Sequence, residues 1–405
     1  QDDAMAAYSH ASEIAEQALD RNHRAALELV ISKADNHAYF ARTPQEQAAY
    51  LAAGEEAFRR VTEARGRLRP DTLLTHAERV YSLALVAVGR GSEALPISRR
   101  VVEDMRRLDA GDTQRVGDAE WALAVSLANL GILDEAIPLM LHVVDHEAQH
   151  GVDANAWLME RFTTLGNMYA QAAMPAEADE VARRWEQIAT QVEPVELGQR
   201  LRNQLTKAYA AAYSGDSARV QRLTQAIRDL PECPETARLE SLAIDLLDAR
   251  WHARSHSHDL ALRLAEDVEA SKQTPYRRGK YLSSAASALL AANDQENAQR
   301  LLALAADWFA KAGLTASSIH LTDFVNARAS LGLLTGDTML HDDLQALVSA
   351  WQKVNPDGTP YGEALFWLSR MQAAGGEVEA AAQTRRQAAQ ILKDSKLPAL
   401  RLLAS

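Results

Sequence analysis

The residues most able to do chemistry stand together at His146-Glu147-Ala148-Gln149-His150, a literal H-E-x-x-H. On a helix, two imidazoles four apart can chelate one Zn²⁺ while Glu147 serves as general base to the bound water. His142 extends the row one turn back. Three features of the surrounding sequence oppose a zinc hydrolase. The segment fits a repeat frame on both sides. Gly151 follows His150 directly and ends the helix where a zinc protease needs it rigid. His142, His146 and His150 fall on a different stripe from the packing residues Ala136, Met140 and Val143. Solvated histidines are the simpler expectation, so no catalytic residue and no metal site is assigned; His146, His150 and Glu147 remain the remote metal candidates.

The other reactive side chains are weaker signals. His252, His256 and His258 surround an expected helix end and have only Asp259 as an acidic companion, which suits a polar turn. Cys233 lies between Pro231 and Pro234 with nothing nearby to activate it, and a single cysteine allows neither an intrachain disulfide nor a thiolate zinc cage. Arg99-Arg100, Arg106-Arg107 and Arg183-Arg184 alternate with Glu103, Asp104 and Glu186, a pattern expected of solvated ion-pair faces. No cofactor fingerprint occurs.

The elements that must position these residues follow from composition and period. The 405 residues are 47% hydrophobic, 6% aromatic and 24% charged, with 43 basic and 55 acidic side chains giving a net charge of −12. That charge repels phosphate backbones and anionic lipid, so neither direct nucleic-acid binding nor membrane contact is expected. The start at Gln1-Asp2-Asp3 shows no basic leader and is expected of a processed or excised segment. The compartment stays open between cytoplasm and, should a membrane anchor precede Gln1, periplasm.

Internal periodicity decides the fold class. Gly89, Gly131, Ala173 and Gly215 recur every 42 residues. Five residues after each come Ala94, Ala136, Ala178 and Val220; seven before, Ser82, Ala124, Gly166 and Ala208; twelve after, Val101, Val143, Trp185 and Ile227. Each unit therefore reads as a first helix, a tight turn of positive φ, and a second helix packed against the first through small residues. Pro96 and Pro138 are expected near the start of second helices, and Pro70, Pro194, Pro234, Pro275 and Pro360 near the start of first helices. Later packing alanines are expected at Ala261, Ala298 and Ala380. The expected architecture is all-α, a right-handed superhelical solenoid of about eight antiparallel helix pairs. Residues 1–42 are expected as capping helices, 43–312 as the array with its regular core at 71–230, and 313–405 as a degenerate repeat and C-terminal cap.

Leu165-Gly166-x-x-Tyr169 followed by Ala178 resembles the signature of tetratricopeptide (TPR) repeats, and the 42-residue step resembles the extended TPRs of kinesin light chains and bacterial signalling proteins. The resemblance implies a non-catalytic interaction or sensor module attached to an effector domain such as a serine/threonine kinase. The alternative is the ligand-sensing end of a bacterial transcription activator. It also implies a concave groove lined by the first helices, with Arg79, Trp121, Asn129, Asn167, Gln171, Tyr209, Tyr213, Arg250 and Arg254 as candidate contacts. Amides there could bracket a peptide backbone and guanidinium groups could take carboxylates, although packing explains any one of the aromatics more simply than binding does. The expected partner is a protein or peptide, or a small ligand, and homodimerisation through a terminal unit is open.

Overall fold

The fold is that of a computed structural model, which describes residues 18–40, 44–66, 71–108, 113–149, 156–191, 195, 197–251, 256–315, 318–337 and 340–393, with positions 7, 10, 11 and 13–15 ahead of them. Among the described residues there are helices and no strand. The helices are α1 (Arg24–Phe40), α2 (Pro44–Arg65), α3 (Thr72–Ala87), α4 (Gly91–Leu108), α5 (Thr113–Asn129) and α6 (Leu133–Gln149). They continue as α7 (Ala156–Gln171), α8 (Pro175–Ala189), α9 (Leu197–Ser214), α10 (Ser217–Arg228), α11 (Glu235–Trp251) and α12 (Ser257–Ala270). The last are α13 (Pro275–Ala291), α14 (Gln295–Lys311), α15 (Thr322–Thr335), α16 (His341–Val354), α17 (Thr359–Ala374) and α18 (Val378–Leu392), with a 3-10 turn at Ile319–Leu321.

The turn column has the backbone its residues predict. Gly89, Gly131 and Gly215 have φ of 83°, 74° and 81°, and Ala173 joins them at 54°. Glycine reaches this region freely, whereas Ala173 carries a Cβ into it at a cost. Asn293 takes the same role before α14 with φ 64°. Every small and large residue of the columns is buried, including Ser82, Ala124, Gly166 and Ala208 on first helices and Ala94, Ala136, Ala178 and Val220 on second helices. Gly166 is needed for more than its own hairpin: a Cβ there would lie 2.9 Å from Thr206 Cγ2 on α9.

Three expectations are corrected. In the last pair the packing alanine is Ala381, which is buried, and not the half-buried Ala380. The reason is the turn itself: Gly376, five residues earlier, has φ 85°, whereas Gly375 is right-handed. Pro96 and Pro138 lie inside α4 and α6, at the sixth helical position, where each removes a hydrogen bond that the first turn would not have made. The arginine runs also reach further than their own helix. Arg100 donates to the buried Glu78 on α3 (2.9 Å) and Arg106 to the buried Glu120 on α5 (2.6 Å), while Arg107 pairs with the buried Asp104. Of the prolines expected at first helices, Pro275 opens α13, Pro360 is second in α17 and Pro234 precedes α11; Pro70 and Pro194 lie outside the described residues.

The chain divides into two compact units, residues 1–130 with 145–147, and residues 131–144 with 148–405. In the first, α1 packs on α3 and α3 on α5, around a core that includes Leu27, Ile31, Tyr50, Val61, Leu74 and Val80. In the second, α7, α9, α11, α13, α15 and α17 each touch the next of their row, whereas α8, α10, α12, α14 and α16 pack on their neighbours in sequence. First helices are thus closer together than second helices, and the row of first helices is the inner, concave layer of that unit.

Candidate ligand groove of the second unit

The reactive motif comes first. His142 is exposed, His146 half-buried and Glu147 buried, with Glu147 Oε1 3.9 Å from where a Cβ on Gly117 would stand. A general base must face its water; Glu147 is turned into the packing of α5. His150 lies outside the described residues. Among the described residues no group of three His, Cys, Asp or Glu side chains is arranged to hold a metal ion. His258 is held between Asp294 (Nε2 to Oδ2, 2.8 Å) and Asp259 (Nδ1 to Oδ1, 3.3 Å), and Asp294 caps α14 by accepting from Asn297 N. Hydrogen bonds to these two carboxylates, Asp294 first, raise the His258 pKa. His252 lies outside the described residues. Burial pushes the Cys233 thiol up against the opposing pull of Arg238 and Arg228.

The first unit places three of the expected groove residues. The Arg79 guanidinium donates to Asp35 on α1 (2.8 Å) and stands 3.0 Å from His76 Nε2. Burial alone would raise Asp35, but Arg79 and His76 outweigh it and hold the carboxyl at about 2. Arg79 is thereby committed to an internal ion pair. Trp121 is half-buried and packs on the core of its unit; Asn129 is half-buried.

The second unit places the rest. Asn167 accepts from Thr206 Oγ1 (2.7 Å), a bond that ties α7 to α9, and Gln171 is exposed. Tyr209 and Tyr281 donate their phenol protons to the two oxygens of Glu240, the second at 2.6 Å. Three successive first helices, α9, α11 and α13, are joined through that one carboxylate. Burial, then the Glu240 charge, raises both phenols well above their ordinary pKa. Tyr213 is half-buried, and burial followed by Asp323 raises its pKa. Arg250 is reached by water yet stands deep enough among protein atoms that desolvation lowers its pKa against the pull of Asp323 and Tyr213. Arg254 lies outside the described residues.

Several groups belong to this surface that the repeat register did not single out. Lys280 on α13 lies 5.9 Å from the Tyr276 ring centroid. Asp323 on α15 is exposed and makes no hydrogen bond or ion pair among the described residues. Glu363 on α17 accepts from Asn326 Nδ2 (2.9 Å), and burial followed by the Asp323 charge pushes its carboxyl up to about 7. The signal for these residues was a mere polar residue on an expected first helix, in a stretch whose period had loosened.

The described helix pairs with their small-residue seams form a TPR-like helical repeat. The chain is similar in structure to a Rap protein complexed with Competence and Sporulation Factor, at 12% identity and a TM-score of 0.57 over 92% of this chain and 99% of that one. The apo form of the quorum sensor NprR from B. thuringiensis aligns at 9% identity and a TM-score of 0.48, over 89% of this chain and 98% of the other. No family model and no curated protein matches the sequence. Among the described residues no helix is long and apolar enough to cross a membrane.

Proposed function

We propose that the protein is a non-catalytic interaction module whose second unit holds an extended peptide segment along α9, α11, α13, α15 and α17. The observation that carries this reading is a row of charged groups, Arg250, Lys280 and Asp323, that stand in one concave face without ion-pair partners among the described residues. Charges left unanswered on one face can each take a charged or hydrogen-bonding group of a ligand. Tyr213 supplies an aromatic face beside them, of the kind that anchors interfaces. The similar Rap fold was solved with a bound factor, which favours the same use of the fold here.

The finer reading is that ligand occupancy regulates an attached effector, such as a serine/threonine kinase or, as the alternative, a transcription activator. Panning the full chain against a display library of random dodecapeptides tests the groove. The expected result is an enriched peptide whose affinity falls at least tenfold in Tyr213→Ala/Arg250→Ala while the circular dichroism melt is unchanged. Unchanged affinity in that variant would place binding elsewhere.

A further inference from the structure

The junction of α15 and α17 gathers hydrogen-bond acceptors with too few donors to answer them. Asp323 and Asn326 are three apart on α15 and so share a face. Asn326 is 7% exposed; its Nδ2 donates to Glu363 Oε1, and its Oδ1 is buried with no partner among the described residues. Asp323 is exposed and, among the described residues, unpaired in the same neighbourhood, acting through its charge on Glu363. A buried orphan acceptor is costly to keep, and two nearby carboxylates repel. One group removes both penalties: a cation that is also a hydrogen-bond donor.

We infer that this junction is a subsite for the guanidinium or ammonium of an arginine or lysine side chain in the bound segment. The inference rests on the peptide-groove reading and adds the chemical class of the ligand. Arg250 on α11 and Lys280 on α13 feel Asp323 without pairing with it. They are left for the ligand's backbone carbonyls or a carboxylate.

A proton is the alternative to the cation at these oxygens. With Glu363 held up at about 7, a neutral carboxyl can donate its O–H to Asn326 Oδ1 once the carboxamide turns over. Proton and ligand cation then compete for the same oxygens. The charged group that acts on Glu363 is Asp323 of α15; α18 meets α17 at Gly362 through Leu392 and Ile391, and α16 supplies the buried Trp351, which bonds Thr322 on α15.

Isothermal titration of the full chain with Ac-Gly-Arg-Gly-NH2 and with its citrulline isostere tests the subsite. At pH 7.5 the arginine peptide is expected to bind at least tenfold tighter, and Asp323→Asn or Glu363→Gln, both isosteric, to abolish the difference. At pH 6.5 binding is expected to release protons, read as heats that vary with buffer ionisation enthalpy, and Glu363→Gln to remove that variation. Equal affinities, or no heat from either peptide, would overturn the subsite. If library peptides still bind in a manner dependent on Tyr213 and Arg250, the groove stands without it. Asp323-dependent arginine binding, with no library peptide dependent on Tyr213 and Arg250, would sink the groove reading and keep the subsite.

Discussion

Burial, and after it the Asp323 charge, make the Glu363 carboxyl hold its proton up to about 7 instead of near 4.5. Between those values the folded state binds a proton that the unfolded state has lost. The stability this confers is full below 4.5 and is lost as pH rises through 7. Glu363→Gln should accordingly be more stable than the parent by about 2 kcal/mol at pH 8, with the gain fading toward pH 4.5. Urea titrations at both pH values measure it, and a gain independent of pH would contradict the assignment. Asp35 has the opposite sign. Its carboxyl is held at about 2, so its contribution is present above the ordinary range near 3.8 and is lost as pH falls through 2. Arg79→Met leaves Asp35 charged in a half-buried site with only His76 beside it, and should cost about 2–4 kcal/mol at pH 7. A melt within a degree of the parent would show the pair to be dispensable.

At the scale of the element, the turns are where local chemistry speaks most clearly. Ala173 occupies a left-handed position that glycine fills in the neighbouring repeats. Ala173→Gly should therefore stabilise by about 0.5–1 kcal/mol, and Gly215→Ala should destabilise by about 1 kcal/mol. Opposite shifts in denaturation midpoint are the check. Helix contacts were less legible. Gly279 reads as an ordinary small residue, yet a Cβ on it would come within 2.5 Å of the Phe309 ring on α14. The ring closes a seam with Phe324 (5.2 Å between centroids). Gly279→Ala should lower the melting temperature, and adding Phe309→Leu should recover part of the loss. The Gly375-Gly376 doublet shows the limit of register: two glycines offer two turns, and only backbone direction chooses.

For the whole molecule, the proposed groove lies in the second unit and not in the first. Hydrogen exchange on the full chain, saturated with a library peptide, should slow α9, α11, α13, α15 and α17 and leave α1 and α3 as they were. Protection confined to residues before 130 would move the site to the first unit. Tyr209 and Tyr213 were legible as residues of a first helix's inner face because inner positions recur at fixed offsets from a small residue. Glu240, Tyr281, Asp323 and Glu363 were not: the frame had slipped by then, and a carboxylate on a helix face looks the same whether it meets water, two phenols or another carboxylate.

The sequence by itself determined the helices, their pairing and the turns, because each is set by a residue's own backbone preference or by burial repeating at a fixed step. Tertiary structure alone decided which charged groups go unanswered. Arg79 finds Asp35 forty-four residues away and Arg250 finds no ion-pair partner among the described residues, although both are arginines on first helices. Charge pairing depends on distance in space, and the sequence carries no measure of that until the chain has stacked.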